Sequence, residues 1–212
     1  MSDYSYIVVE GPIGVGKTTL ARRLADSFGA ELLLEEPQDN PFLSRFYENP
    51  RAHALSTQLH FLLQRARQVH GLHQADMFSR VRVGDYLMDK DRLFAELTLE
   101  PDELALYHQV YAHVAGESLQ PDLVIYLQAP VEVLQDRIAN RGIGYEQAID
   151  GGYLQRLVSA YTRFFYHYDA SPLVIVNAAS IDFANSDDDY RLLFDELRHL
   201  GKGRHYLNPL SI

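Results

Sequence analysis

The sequence predicts an α/β protein, an open, doubly wound, five-stranded parallel sheet with helices on both faces. Three observations carry that prediction. Apolar runs of strand length alternate with helical patterns along the chain. The runs are apolar on both faces, as parallel strands covered by helices must be. A glycine-rich stretch, "EGPIGVGKTTLARRLA" at residues 10–25, joins the first run to the first helical pattern.

The first strand is expected at about 4–9, in "YSYIVV", and the helix that follows the glycine-rich loop at about 17–29. A strand-to-helix turn of the form G-x-x-x-x-G-K-[ST] is a phosphate cradle. Gly11, Gly14 and Gly16 take backbone angles closed to other residues and leave bare amides for phosphate oxygens. The helix dipole favours an anion at the same place. Residues Gly11, Pro12, Ile13, Gly14, Val15, Gly16, Lys17, Thr18 and Thr19 are therefore expected to bind ATP. Lys17 reaches the outer phosphates, and Thr18 sets its hydroxyl on Mg2+.

The remaining strands are expected at about 31–35, 81–85, 123–128 and 173–177. Helical patterns lie at about 52–72, 102–117, 131–141, 152–168 and 188–200, and the 212 residues read as one domain, 1–212. The acids of "SDDDY" at the start of the last helix are read as capping residues.

Composition narrows the function. A formal net charge of −10 argues against a nucleic-acid surface, so the partner is expected to be a small molecule. The first residues, "MSD", run into a strand without a leader, and no apolar run approaches the roughly 20 residues that span a bilayer. With no cysteine in the chain, a cytoplasmic protein without disulfides or thiolate metal sites is expected. The nine histidines show no zinc spacing.

In a doubly wound sheet the ligand crevice lies beyond the carboxyl ends of the strands. Those ends are acidic here: Glu10, then Glu35 and Glu36, then Asp85. Carboxylates beside a triphosphate orient a metal or accept a proton from an acceptor hydroxyl. Successive strand side chains alternate faces, so only one of Glu35 and Glu36 can face the crevice, and Pro37 holds Glu36 extended. On the helix "STQLHFLLQRARQ", Gln58 and Arg65 share a stripe with Phe61 and Leu62, so two polar groups lie among apolar ones on an inward face.

"EGPIGVGKTTL", "EEPQDNPFL", "QLHFLLQRARQ" and "RIANRGIGYEQAI", in this order, resemble the deoxynucleoside kinase family, in particular its bacterial deoxyadenosine and deoxyguanosine kinase branch. The resemblance implies a P-loop kinase fold with an arginine-bearing lid at about 137–151 and transfer of the γ-phosphoryl of ATP to the 5′-hydroxyl of a deoxynucleoside, purines favoured. It makes Glu36 the general base and places Gln58, Arg65 and Asp91 on the nucleobase, Tyr47 and Glu146 on the 3′-hydroxyl, and Asp85 on Mg2+ with Thr18. Arg137 and Arg141, four apart on one helical face, belong to the lid and neutralise charge on the transferring group.

The chain departs from the family pattern at two places. Tyr86 in "GDYLMDKDRLFA" stands where an arginine is usual, which leaves Lys90 and Arg92 as candidate cations, and Ile143 replaces a lid arginine. The resemblance also implies a homodimer packed through the helices near 52–72 and 102–117.

Two other readings compete. A monophosphate kinase of the thymidylate kinase type would need extra arginines on the acceptor side, where the chain offers Glu36 and Glu146 instead. A noncatalytic nucleotide-binding protein is allowed by Tyr86 and Ile143 but opposed by Lys17, Thr18 and Glu36.

Overall fold

The computed structural model describes residues 4–74, 81–114 and 119–208. Its sheet has six strands, all paired parallel: β1 (Tyr6–Glu10), β2 (Glu31–Leu33), β3 (Arg82–Gly84), β4 (Leu123–Gln128), β5 (Leu173–Asn177) and β6 (Arg204–Leu207). The order across the sheet is β2-β3-β1-β4-β5-β6. Five of these were expected. The sixth is a correction: β6 alternates exposed and half-buried residues and carries no apolar run, so it exists because β5 offers it an open edge.

Alternation along each strand builds two cores. Ile7 and Val9 of β1 and Ile125 and Leu127 of β4 face α1 (Lys17–Phe28) and α8 (Asp187–His199), where Leu20, Leu24, Leu193 and Leu197 meet them. Val8, Val124 and Tyr126 face the other way, onto Leu157, Tyr161 and Phe165 of α7 (Gly151–His167). Phe165 lies 4.1 Å from Tyr126, ring centre to ring centre. Burying side chains of this size contributes roughly 1.5 to 3 kcal/mol each, so both faces are anchored.

A third cluster joins α3 (Pro50–Gln74), α4 (Lys90–Thr98) and α5 (Pro101–Val114) through Leu62, Ala95 and Tyr107. Two short helices, α2 (Leu43–Glu48) and α4, add to the expected set. Residues 115–117, expected to extend α5, lie outside the described residues. Helix α6 (Val131–Arg141) runs into a 3-10 turn, Gly144–Ala148, before α7. Ser186 caps α8 by accepting from the Asp189 N–H, so the cap itself is the serine and the acids fill the first turn.

The chain leaves β1 for the β2 edge, returns at β3 beside β1, and then crosses to β4 on β1's other side. The crossover direction reverses at β1, whose carboxyl end is the topological switch point. The glycine-rich loop between β1 and α1 sits there.

Candidate active site

The loop between β1 and α1 is shaped by its backbone. Gly14 has φ 82, and a Cβ there would lie 2.9 Å from Cγ1 of Ile138 and 3.0 Å from the Leu134 carbonyl oxygen. Gly16 caps α1 at φ 103, and a Cβ there would lie 3.2 Å from the Phe183 ring. Both positions need the left-handed region and open space together, which glycine alone supplies. Lys17 Nζ donates to the carbonyls of Gly11 (2.7 Å) and Pro12 (3.2 Å), curled over the loop. Burial, then the nearby Lys90 charge, lowers its pKa.

One cleft of about 790 Å³ runs from this loop to helix α3. At the loop end it is lined by Ile13, Gly14, Val15, Gly16, Lys17, Thr18 and Thr19, facing residues 179–185 that follow β5. At the far end it is lined by Tyr47, Gln58, Phe61, Arg65 and Glu146, with Glu35, Asp85 and Lys90 between. Arg137 and Arg141 border it from α6.

The middle of the cleft is a chain of ionised groups. Thr18 Oγ1 donates to Asp85 Oδ2 at 2.5 Å, while Asp85 Oδ1 accepts the Glu35 N–H at 2.8 Å. Burial raises the Asp85 pKa, and those two hydrogen bonds oppose it. Glu35 pairs with Arg65, which pairs on its other side with the fully buried Asp91. Lys90 Nζ lies 3.6 Å from Glu35 and 3.5 Å from Glu10. Burial alone would push the Glu35 carboxyl up; the Arg65 and Lys90 charges override it and hold it down, from 4.5 to about 2. Buried charges persist only when paired, and these alternate in sign from Asp91 to Glu10.

Glu36, expected to face the crevice as general base, does not do so: the strand is one residue out of the expected phase. Glu36 is exposed and does not line the cleft; Glu35 does. The carbonyls on either side are gripped from α3, Leu34 by Gln68 at 3.1 Å and Glu36 by Gln64 at 3.3 Å, which fixes the strand's phase. Three further expected residues stand behind the cleft wall. Gly11 and Pro12 serve through their carbonyls on Lys17, with Pro12 lining a separate cavity of about 420 Å³, and Asp91 backs Arg65 from inside α4.

The far end is aromatic and amide-lined. Arg65 lies over the rings of Phe61 (5.2 Å) and Tyr86 (5.6 Å), and Gln58 Nε2 donates to Thr98 Oγ1 at 3.4 Å. Tyr47 stacks on Tyr145 at 6.0 Å, 6° from parallel, beside the buried Glu146. Glu146 Oε2 accepts from Arg141 Nη2 at 2.5 Å. Arg137 donates to the Val15 carbonyl (3.2 Å) and the Ala178 carbonyl (2.8 Å), so it braces the loop from α6. Sequence reasoning missed the 179–185 segment, whose lining residues share no chemistry or spacing that marks them in advance.

The sequence model described as "Deoxynucleoside kinase" matches residues 7–200. The chain is 32% identical over 207 residues to the deoxyguanosine kinase of Bacillus subtilis, covering 94% of this chain and 99% of the relative. It is 26% identical over 205 residues to the deoxyadenosine kinase of Lactobacillus acidophilus, covering 90% and 94%. Its fold is that of the M. mycoides deoxyadenosine kinase solved with bound dATP, at a TM-score of 0.78 and 24% identity over 91% of this chain and 99% of that one.

Proposed function

The chain belongs to the deoxynucleoside kinase family, and we propose that it transfers the γ-phosphoryl of ATP to the 5′-hydroxyl of a deoxynucleoside, purines favoured, in cytoplasmic nucleotide salvage. One observation carries this reading: a single cleft holds a phosphate loop at one end, an amide and guanidinium among aromatics at the other, and an ionised carboxylate between them. The names of the relatives, deoxyguanosine and deoxyadenosine kinases, favour a purine.

The loop amides and Lys17 hold the triphosphate, and Arg137 and Arg141 close on it from the lid, about 137–151. The glycine-shaped loop, with Gly14 and Gly16 in the left-handed region, and the Thr18 to Asp85 contact beside it fit a magnesium-bound triphosphate. Thr18 and Asp85 would hold the ion, whose charge, when bound, offsets that of the phosphates. Phosphate oxygens would complete the ion's oxygen coordination, as Mg2+ prefers.

Gln58 and Arg65 bind the nucleobase edge, with Asp91 orienting Arg65, while Tyr47 and Glu146 take the 3′-hydroxyl. Glu35 accepts the 5′-hydroxyl's hydrogen bond and then its proton. A carboxylate held near 2 is a weak base, which suits a loose phosphoryl-transfer transition state, where the proton leaves late and the hydroxyl's aim matters most. A monophosphate acceptor would bring its charge against Glu35 and Glu146, while Arg65 is already matched by Glu35 and Asp91.

Among the described residues no helix is long and apolar enough to cross a membrane. Exposed Leu63 on α3 and Leu106 on α5 support a homodimer through those helices, for which sedimentation at working concentration should give twice the 24.2 kDa chain mass. An ADP-release assay across the four deoxynucleosides, their ribonucleosides and their monophosphates tests the whole reading. Turnover confined to monophosphates would overturn it.

A further inference from the structure

Of the charged residues in the strand-three motif that the proposed function leaves unused, Lys90 is the one that lines the cleft. It opens α4 and is 3% exposed. Its Nζ stands between two carboxylates that belong to different parts of the site, Glu35 on the acceptor side (3.6 Å) and Glu10 at the root of the phosphate loop (3.5 Å). The other two residues singled out there point elsewhere. Tyr86 is buried with its ring against Arg65, and Arg92 lies over the Tyr111 ring at 4.5 Å.

A buried lysine can be no more than the counter-charge of a buried glutamate. Glu10, however, already receives three donors: the Gly11 N–H at 2.8 Å, the Leu87 N–H at 2.9 Å and the Tyr161 hydroxyl at 3.0 Å. Those bonds fill three of its roughly four acceptor sites and clamp β1, the loop after β3 and α7 onto one carboxylate. Glu10 is thereby a rigid seat, and the ammonium it holds is free to face Glu35. Lys17 does not fill this place, since its Nζ is committed to the carbonyls of Gly11 and Pro12.

We propose that Lys90, seated on Glu10, is the positioning residue of the proton acceptor. It holds the Glu35 carboxylate on the line between the acceptor hydroxyl and the phosphate loop and keeps positive charge beside the phosphoryl path. The inference rests on the phosphoryl-transfer reading of the cleft. It predicts an effect on turnover rather than on nucleoside binding, because Gln58, Arg65, Tyr47 and Glu146 make the binding contacts.

The test uses steady-state kinetics with ATP and each deoxynucleoside, alongside thermal midpoints, for Lys90→Met, Lys90→Arg and the double variant Glu10→Gln/Lys90→Met. Lys90→Met should lower kcat about 30-fold or more, as loss of one preorganised charge contact does, with the nucleoside KM within about threefold of wild type. Lys90→Arg should recover kcat to within about tenfold of wild type. The double variant removes one charge of each sign, so its midpoint should return toward wild type while its kcat stays at the Lys90→Met level. If Lys90→Met does not fold, the double variant makes the comparison. Recovery of kcat in the double variant, normal kcat in Lys90→Met, or Lys90→Arg as slow as Lys90→Met overturns the proposal while the function stands. A wild-type chain inactive on every deoxynucleoside overturns the function, and this inference with it.

Discussion

The two ends of the cleft are built by opposite means. At the phosphate end seven consecutive residues, Ile13 to Thr19, line the cleft, and their backbone is arranged by glycine angles and a helix start. At the acceptor end each group comes from a different part of the chain: Glu35 after β2, Tyr47 on α2, Gln58 and Arg65 on α3, Lys90 on α4 and Glu146 on the turn after α6. Its groups are side chains whose charges are balanced by partners on other segments, Lys90 by Glu10, Arg65 by Asp91 and Glu146 by Arg141. A backbone site tolerates change in its surroundings because the local sequence dictates its geometry. A side-chain site assembled from five segments is exact only while all five pack, so substitutions there should separate binding from turnover.

The sharpest contrast concerns charge on the transferred group. Lys17→Ala should leave the fold intact and reduce turnover at saturating ATP by about 10³ to 10⁵, the range that a cation acting on a transferring phosphoryl group supplies. Circular dichroism and ADP release together check it, and near-normal turnover would remove the phosphate end from the mechanism.

Next in size is the acceptor's carboxylate. Glu35→Gln should keep nucleoside binding, read by calorimetry, and lose about two to four orders of magnitude in kcat. Glu36→Gln, altering an exposed side chain outside the cleft, should stay within about threefold of wild type. The reverse ranking would put the strand in the other phase.

A smaller effect should mark the sugar subsite. A nucleoside without a 3′-hydroxyl would strand Tyr47 and the buried Glu146, at a cost of roughly 1 to 3 kcal/mol, so dideoxynucleosides should lose at least about tenfold in kcat/KM. Glu146→Ala should narrow that gap. Equal discrimination in the variant would free Glu146 from the sugar and leave it as the partner of Arg141 alone.

The smallest effect is on stability. The Glu35 pKa is depressed on folding, from 4.5 to about 2, so its contribution is present above about 4.5 and is lost as pH falls toward 2. In Glu35→Gln the thermal midpoint should fall less steeply across that window. An unchanged slope would mean that the ion pair with Arg65 and Lys90 adds nothing to the folded state.

These two ends also differ in how far the sequence reveals them. The alternation of apolar runs and helical patterns points to the parallel sheet and the loop motif to the glycine-rich turn, because both are read from neighbours in the chain. The sequence also required Glu35 and Glu36 to face opposite ways, yet could not say which faced the crevice. The reason lies in "ELLLEEP": Leu32 and Leu34 pack into one core layer while Leu33 is buried on the other face, so three consecutive leucines carry no alternation to read. Tertiary structure settled the phase, through the β2 to β3 register that pairs Leu33 with Gly84 and through the α3 glutamines on the Leu34 and Glu36 carbonyls. It also decided which cation stands beside the carboxylate. Lys90 and Arg92 are two residues apart, and only the packing of α4 against Glu10 and Glu35 turns one into the cleft and leaves the other on Tyr111, because a charge enters a buried site only where partners distant in sequence wait for it.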